Sequence, residues 1–193
     1  MPHKFEQRGS WQRLLAEERK KLVPPAKVLE VLGVRPGETV LDLGAGPGYL
    51  TLPLAEAAGP DGWVWAADIS EDALELLRQR AQEAGLANVR TLKAEETRID
   101  LPDGAVDRAL MVNVLHELSD ARASLAEVRR VLKPGGALLV VDWERAPMEI
   151  GPPFEDRIAA ADAERLLEAA GFATERLSWP HPAHYALRCA APV

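Results

Sequence analysis

The sequence predicts an α/β fold: a doubly wound, mostly parallel, seven-stranded sheet with an antiparallel C-terminal strand and an N-terminal helical extension. Strand-like and helix-like runs alternate over most of the 193 residues, and several of the strand-like runs are apolar without interruption. Such strands are buried on both faces, as in a parallel sheet that helices cover on either side. A glycine-rich turn that leads from the first strand into a helix is the third indication.

The predicted elements follow in chain order. Apolar residues at helical spacing predict an N-terminal helix over 11–22, and a second short helix over 26–32 ends at Gly33. Five strands then alternate with helices; the strands are predicted at 39–43, 63–67, 89–92, 106–112 and 137–141, and the helices at 49–58, 70–84 and 121–132. A helix at about 160–170 and two strands at about 174–177 and 184–189 complete the chain. The short connection makes the last two strands antiparallel.

Two parts of the chain are predicted to differ in role. Residues 1–27 form a helical extension or lid, and residues 28–193 form the ligand-binding domain. The extension carries His3, Phe5 and Trp11 near its start, where a lid would cover the ligand and keep water out.

Composition and charge exclude several classes of protein. With 47% hydrophobic and 27% charged residues the chain is typical of a soluble globular protein. Its net charge of -7 disfavours nucleic acid as a partner, because phosphate binding needs a basic surface. The single cysteine, Cys189, offers neither a disulfide nor a thiolate pair for zinc. His181 and His184 lie in a proline-marked loop without a carboxylate at helical spacing, so no metal site is predicted. The sequence predicts no secretion signal and no membrane span, and a cytoplasmic location is expected.

The strongest local motif is VLDLGAGPGY, an apolar strand that ends in Asp42 and turns through glycines into a helix. Glycines let the backbone approach a ligand closely, and loops at the carboxyl ends of parallel strands form the ligand crevice. The third glycine comes one residue too early for a dinucleotide fingerprint, and Pro47 removes an amide donor. Asp42 favours a ligand that carries an ammonium and a sulfonium group instead.

With this motif opening the alternating pattern, the chain resembles the class I methyltransferases that depend on S-adenosylmethionine (SAM), which are Rossmann-like. Within them it is similar to the small single-domain group of quinone and other small-molecule methyltransferases, known as type 11. The resemblance runs from about 28 to 172. It implies SAM as the cofactor, S-adenosylhomocysteine (SAH) as its product and a small-molecule substrate. The cofactor contacts that it implies in the first motif are Asp42, Gly44, Ala45, Gly46 and Tyr49.

The resemblance also implies cofactor contacts at the ends of the next three strands. Asp68 would accept hydrogen bonds from both ribose hydroxyls, and Ile69 would lie against the adenine. Glu95 occupies the position at which relatives read the adenine amino group with an aspartate, but its side chain is longer and Glu96 follows it. Asn113 would lie beside the methionine part. The alternatives are that Asp68 only begins the next helix and that Glu95 is a solvated loop acid.

The candidate catalytic residue is His116, which in relatives borders the substrate pocket. A free histidine has a pKa of about 6.5, so a neutral His116 could accept a proton from a substrate hydroxyl or carbon acid. The alternative is that it only shapes the pocket. Asp142 and Trp143, at the end of the fifth strand, are expected to face the same crevice, where the tryptophan either packs at the rim or stacks on a flat substrate.

A small-molecule methyltransferase explains the glycine loop, Asp68 and the acidic composition together. Two alternatives remain. A non-catalytic SAM- or SAH-binding module would need the same cofactor residues but no productive pocket. A nicotinamide-dependent oxidoreductase explains only the fold and one acid. The segment NVLH at 113–116 lacks the Asn-Pro-Pro-Tyr type of turn found in DNA and protein-glutamine methyltransferases, which disfavours amide and base-nitrogen methylation.

Overall fold

In the computed structural model, which describes residues 17–193, strands and helices alternate as the sequence predicts. The strands are β1 (Thr39–Leu43), β2 (Trp63–Asp68), β3 (Val89–Lys93), β4 (Val106–Val112), β5 (Leu132–Trp143), β6 (Ala173–Leu177) and β7 (His184–Ala190). The helices are α1 (Glu17–Leu22), α2 (Pro25–Leu32), α3 (Thr51–Ala58), α4 (Glu71–Glu83), α5 (Ala121–Val131) and α6 (Ala160–Ala169). Short 3₁₀ turns lie at Leu115–Glu117 and Phe154–Asp156.

The sheet has the strand order β3-β2-β1-β4-β5-β7-β6. Strands β1 to β5 are parallel to one another, and β7 runs antiparallel to both β5 and β6. The predicted doubly wound sheet and its antiparallel C-terminal strand are therefore confirmed. The chain leaves β1 towards one edge of the sheet and returns to β4 on its other side, so the switch point lies between β1 and β4. Ligands of such sheets bind at that point, beyond the carboxyl ends of the strands.

The core lies in two layers, one on each face of the sheet. Successive residues of a strand point to opposite faces, and in β4 Ala109 and Met111 enter one layer while Leu110 and Val112 enter the other. Helices α5 and α6 cover the first layer, and α2 and α3 cover the second. All four of these β4 residues are buried, as expected for a central strand of a parallel sheet.

Some boundaries differ from the prediction for local reasons. The fifth strand extends beyond 137–141, because Leu132 already pairs with Val106 before a shift of register. Helix α3 begins at Thr51 rather than at residue 49, since the glycine loop continues to Leu50. Strand β3 is only partly buried, because it lies at the edge of the sheet.

The described part of the N-terminal extension is docked onto the domain. The Tyr49 hydroxyl donates a hydrogen bond to the Val23 carbonyl over 2.8 Å, and the Trp179 indole nitrogen donates to the Leu22 carbonyl over 2.9 Å. The expected lid residues His3, Phe5 and Trp11 lie outside the described residues. The division of the chain at residue 27 therefore stays a prediction. Within residues 17–193 no helix is long and apolar enough to cross a membrane.

Candidate active site

The glycine loop after β1 has a backbone that glycine alone adopts without strain. Gly44, Gly46 and Gly48 have φ angles of +74°, +53° and +86°, and the amides of Gly44 and Ala45 both donate to the Ala67 carbonyl of β2. A Cβ atom on Gly44 would lie 2.2 Å from a methyl group of Val114, in the loop after β4. The loop therefore packs closely against the end of β4, at the switch point of the sheet.

Asp42 is a buried acid at the base of this loop, with 3% of its surface exposed. Its carboxylate accepts a hydrogen bond of 2.6 Å from the Thr51 hydroxyl. Burial raises the pKa of Asp42 to about 6, although this hydrogen bond and the positive charge of Arg19 act in the opposite direction. A cationic ligand group placed beside this carboxyl would favour its ionised form.

Asp68, at the end of β2, holds the glycine loop and the start of α4 together. Its carboxylate accepts one hydrogen bond from the Gly46 amide over 2.7 Å and another from the Ser70 amide over 2.8 Å. Burial raises the pKa of Asp68, and these backbone hydrogen bonds oppose the rise. A carboxylate offers about four acceptor positions, so acceptor capacity remains for a ribose hydroxyl. Ile69 is 42% exposed, which leaves an apolar surface beside this acid.

The two acids after β3 have different surroundings. Glu95 is exposed and pairs through its backbone with Arg98. The Glu96 carboxylate accepts hydrogen bonds from the hydroxyl of Ser119, over 2.7 Å, and from its amide, and the Glu96 carbonyl accepts from Ser124. Glu96 is thus hydrogen-bonded to the segment that leads into α5 and to the first turn of that helix. A cofactor contact at Glu95 or Glu96 stays a prediction.

Strand β4 ends in a sharp turn at Asn113. With a φ of +58°, it is the one non-glycine residue among those described that has a positive φ. Its amide donates to the Val141 carbonyl of β5 over 2.8 Å, and its side-chain oxygen lies 2.9 Å from Nε2 of His184. Strained backbone of this kind is concentrated at functional sites, and asparagine tolerates it better than most residues.

His184, the first residue of β7, contacts Asn113 at the end of β4. Burial lowers its pKa to about 4, so the imidazole is neutral. Its Nε2 proton is donated to Asn113, and within the described part of the chain its Nδ1 is buried without a hydrogen-bond partner. The ring stacks on Trp143, with a centroid distance of 4.1 Å and a tilt of 37°. Trp143 and His184 therefore form an aromatic pair at the end of β5.

His116 lies in the 3₁₀ turn after β4 and is paired with Asp142 at the end of β5. Its Nδ1 is 2.7 Å from the Asp142 carboxylate, its amide donates to the second carboxylate oxygen, and the two side chains are only 5% and 1% exposed. Burial alone would lower the pKa of His116, but the hydrogen bonds to Asp142 and Glu117 outweigh this and raise it to about 9. The histidine is therefore protonated at neutral pH, whereas a free histidine with a pKa near 6.5 was expected.

Two features of this site were not predicted from the sequence. The sequence predicts Asp142 at the crevice but does not pair it with His116, and it assigns no role to His184 because no metal site is predicted there. The register of β5 and β7 sets Trp143 opposite His184 and Asp142 opposite Tyr185, and such a register cannot be read from two short strands. Within residues 17–193 no group of three or more histidine, cysteine or acidic side chains is arranged to hold a metal ion.

A buried arginine organises the segment after β5. The Arg157 guanidinium donates to the carbonyls of Ala146, Ile150 and Pro152 over 2.8–2.9 Å. This holds Gly151 against the ring of Trp143, where a Cβ atom would approach the ring to 2.7 Å. The segment borders an open cavity of about 620 Å³.

Comparisons with known proteins agree with this geometry. A family model described as a methyltransferase domain matches residues 40–136. The ubiquinone/menaquinone biosynthesis C-methyltransferase UbiE of Bordetella parapertussis is 38% identical over 122 residues, which are 63% of this chain and 47% of that protein. The protein of the same name from Burkholderia cenocepacia is 40% identical over 112 residues, 58% of this chain and 46% of that one. The chain thus spans about half the length of these curated relatives.

A solved structure matches nearly the whole chain. The crystal structure of a SAM-dependent methyltransferase from Aquifex aeolicus superposes with a TM-score of 0.90 at 33% identity. The match covers 95% of this chain and 97% of that one. The similarity therefore includes the N-terminal and C-terminal elements that lie outside residues 40–136.

Proposed function

Because this chain belongs to the methyltransferase-domain family of SAM-dependent enzymes, we propose that it methylates a small hydroxylated aromatic molecule of the quinol type, on a ring carbon. The observation that carries the proposal is the 2.7 Å contact between His116 and Asp142 beside the glycine loop. The names of the curated relatives, which are C-methyltransferases of quinone biosynthesis, support the substrate class.

The residues at the ends of β1 and β2 fit SAM. Gly44 cannot carry a side chain, because a Cβ atom there would clash with Val114, and a loop of bare backbone is the kind that a ligand can approach closely. Asp42 and Asp68 provide acids for the cationic methionine end and for the ribose, and the exposed Ile69 provides an apolar surface for the adenine. When bound, SAM supplies an electrophilic methyl group.

A protonated His116 supports one catalytic role for the chain itself. Its Nδ1 proton is donated to Asp142, so the Nε2 proton is the donor left for a substrate. The Glu117 carboxylate lies 3.5 Å from Nε2, so a substrate oxygen would share this proton with a long and weak contact. An imidazolium next to a phenolic oxygen lowers the pKa of that hydroxyl, so its proton is lost to water and the resulting phenolate makes the neighbouring ring carbon nucleophilic. When this ring carbon has taken up the methyl group, its own proton is also released to water, which restores the aromatic ring. His116 would thus act as an electrostatic catalyst and hydrogen-bond donor.

An aromatic side chain lies at the end of β5, next to Asp142. The Trp143 ring contacts His184 and Gly151 but is only half-buried. Its remaining surface would line the site of a flat substrate whose hydroxyl reaches His116. The net charge of -7 supports a small-molecule substrate over nucleic acid, and we place the reaction in the cytoplasm.

Incubation with SAM labelled on the methyl group tests the proposal against its alternatives. Quinols, phenols and small amines would be offered in parallel, and the position of the label found by mass spectrometry. We expect label on a ring carbon of a quinol. Binding of SAH without transfer to any substrate would instead support the non-catalytic module. Transfer to amines alone would contradict a mechanism that depends on a phenolate.

A further inference from the structure

Arg19 is the charged residue of α1 that turns towards the crevice. Its charged neighbours on this helix, Glu17, Glu18, Lys20 and Lys21, are exposed, whereas Arg19 is half-buried. Its guanidinium carbon lies 4.7 Å from the centre of the Tyr49 ring, a cation–π contact. Tyr49 directly follows the glycine loop, so this contact brings a permanent positive charge to the loop.

The electrostatic neighbours of Arg19 come from two sides of the crevice. Its charge opposes the rise that burial causes in the pKa of Asp42 in β1. The same charge adds to the lowering of the pKa of His184 in β7. The guanidinium therefore lies within electrostatic reach of the carboxyl end of β1 and of the corner at Asn113, which His184 contacts. Burial lowers the pKa of Arg19, and the charges of Tyr49 and Asp42 oppose this. An arginine stays protonated under such conditions.

The backbone after Arg19 is fixed at three points. The Val23 amide donates to the Arg19 carbonyl over 2.8 Å, which closes the last turn of α1. The Tyr49 hydroxyl and the Trp179 indole hold the next carbonyls, those of Val23 and Leu22. One anchor comes from the glycine-loop side and the other from the segment before β7. The position of Arg19 is thus determined by the domain and not by α1 alone.

We propose that Arg19 binds the α-carboxylate of the methionine part of SAM and of SAH, so that α1 is part of the cofactor site. The α-amino acid end of this cofactor carries an ammonium and a carboxylate, so a complementary site needs a negatively charged and a positively charged side chain close together. Asp42 provides the negative charge and Arg19 provides the positive charge. A guanidinium matches a carboxylate with two parallel hydrogen bonds. This inference rests on the proposed function, since it assumes the same cofactor.

The test compares two ligands that differ at the amino acid end. SAH has the carboxylate, whereas 5′-methylthioadenosine keeps the adenine, ribose and sulfur but lacks the whole amino acid. Calorimetry would measure the Kd of both ligands for the wild-type chain and for Arg19→Met and Arg19→Lys. Lys20→Met is the matched control, because Lys20 is the next residue on α1, is exposed and pairs with Glu17 at 2.7 Å.

For Arg19→Met we expect the Kd of SAH to rise by about 10-fold to 100-fold, in the range of a lost charge-assisted hydrogen bond. The Kd of 5′-methylthioadenosine should stay within about threefold, because that ligand makes no contact that needs the charge. Arg19→Lys should lie between wild type and Arg19→Met for SAH, since lysine keeps the charge but not the bidentate geometry. Lys20→Met should change neither Kd.

Three results would overturn the inference. An equal loss for both ligands in Arg19→Met would show that the residue only holds α1 in place. No loss for either ligand would place the carboxylate elsewhere. If the wild-type chain binds neither ligand, the cofactor assignment itself fails, and this outcome is distinct from the first two. Thermal unfolding of each variant, measured alongside, identifies a loss of folding.

Discussion

Two regions of the crevice are built in different ways. One lies at the carboxyl ends of β1 and β2, and the other lies at the carboxyl ends of β4 and β5 and at the start of β7. In the first region, which we call the cofactor half, Asp42 bonds to Thr51 nine residues away, and Asp68 bonds to Ser70 two residues away and to Gly46 22 residues away. In the second, the acceptor half, His116 and Asp142 are 26 residues apart, and Asn113 and His184 are 71 apart. The cofactor half depends mainly on local sequence, whereas the acceptor half depends on how distant strands are aligned.

The two halves also differ in electrostatics. Burial raises the pKa of both Asp42 and Asp68, and the charge of Asp68 adds to the rise for Asp42. In the acceptor half the buried carboxylate of Asp142 has the His116 imidazolium as its partner. The acceptor half therefore satisfies its own charges, while the cofactor half has acids that a cationic ligand would stabilise.

The largest expected effect separates the two halves by function. His116→Ala removes the donor that stabilises the phenolate, and turnover at saturating SAM should fall by about 10²-fold to 10⁴-fold. The Kd of SAH should stay within about threefold, because the cofactor half is intact. Steady-state kinetics with a quinol, together with calorimetry of SAH, would measure both. Unchanged turnover would leave His116 as part of the pocket wall.

The pH dependence of turnover tests which form of His116 is active in the acceptor half. If the imidazolium is the active form, turnover should fall as the pH rises through the pKa of His116, about 9. Asp142→Asn removes the negative partner that raises this pKa, so the fall should move to lower pH. A rate that instead falls as the pH drops below 7 would mean that neutral His116 acts as a base.

A second effect concerns the stability of the cofactor half. The pKa of Asp42 is about 6 in the folded chain and 3.8 ordinarily. The folded state therefore binds this proton more tightly, and stability falls as the pH rises from about 4 to about 6. The loss is complete at pH 7 and amounts to about 3 kcal/mol at most. Asp42→Asn should remove this penalty, raising the free energy of unfolding at pH 7 while weakening SAH binding. Urea titrations at pH 4 and pH 7 would measure it, and a variant less stable at pH 7 would contradict it.

These halves also show how much the sequence can predict. The strand ending in Asp42, its glycine turn and the acid at Asp68 form a contiguous pattern whose geometry follows from backbone conformation. The seven strands follow from the same alternation of strand-like and helix-like runs, but their order in the sheet was seen only in the structure. The raised pKa of His116 depends on Asp142, and the orientation of Asn113 depends on His184. Both contacts require the packing of separate strands, which short apolar runs do not specify.

A third effect tests Asp68 as a ribose acceptor. Asp68→Ala should weaken SAH binding by about 1.5–3 kcal/mol, because it removes a charged acceptor from buried hydroxyl donors. It also frees the Gly46 amide, which the carboxylate now holds. Asp68→Asn serves as the control, since it keeps one acceptor oxygen and should lose less. If calorimetry shows no change for either variant, Asp68 only joins the loop to α4.

The smallest expected difference is that between two glycine variants, and it concerns the shape of the glycine loop. Gly44→Ala adds a methyl group that meets Val114 at 2.2 Å, at a φ of +74°. Gly37→Ala is the matched control, with a φ of +85° but nothing within 4 Å. Both should lose about 1 kcal/mol of unfolding free energy from backbone strain, and Gly44→Ala should lose about 1–2 kcal/mol more from the contact. Equal losses in urea titrations would show that Val114 moves away without cost.

The separation of the two halves is tested most directly by a double-mutant cycle on the Kd of SAH, with Asp68→Ala and His116→Ala alone and together. If cofactor binding and substrate activation are independent, the double variant should bind SAH as weakly as Asp68→Ala alone, with a coupling energy below about 0.5 kcal/mol. A coupling energy above about 1 kcal/mol would show that His116 takes part in holding the cofactor, and the division into a cofactor half and an acceptor half would then be wrong.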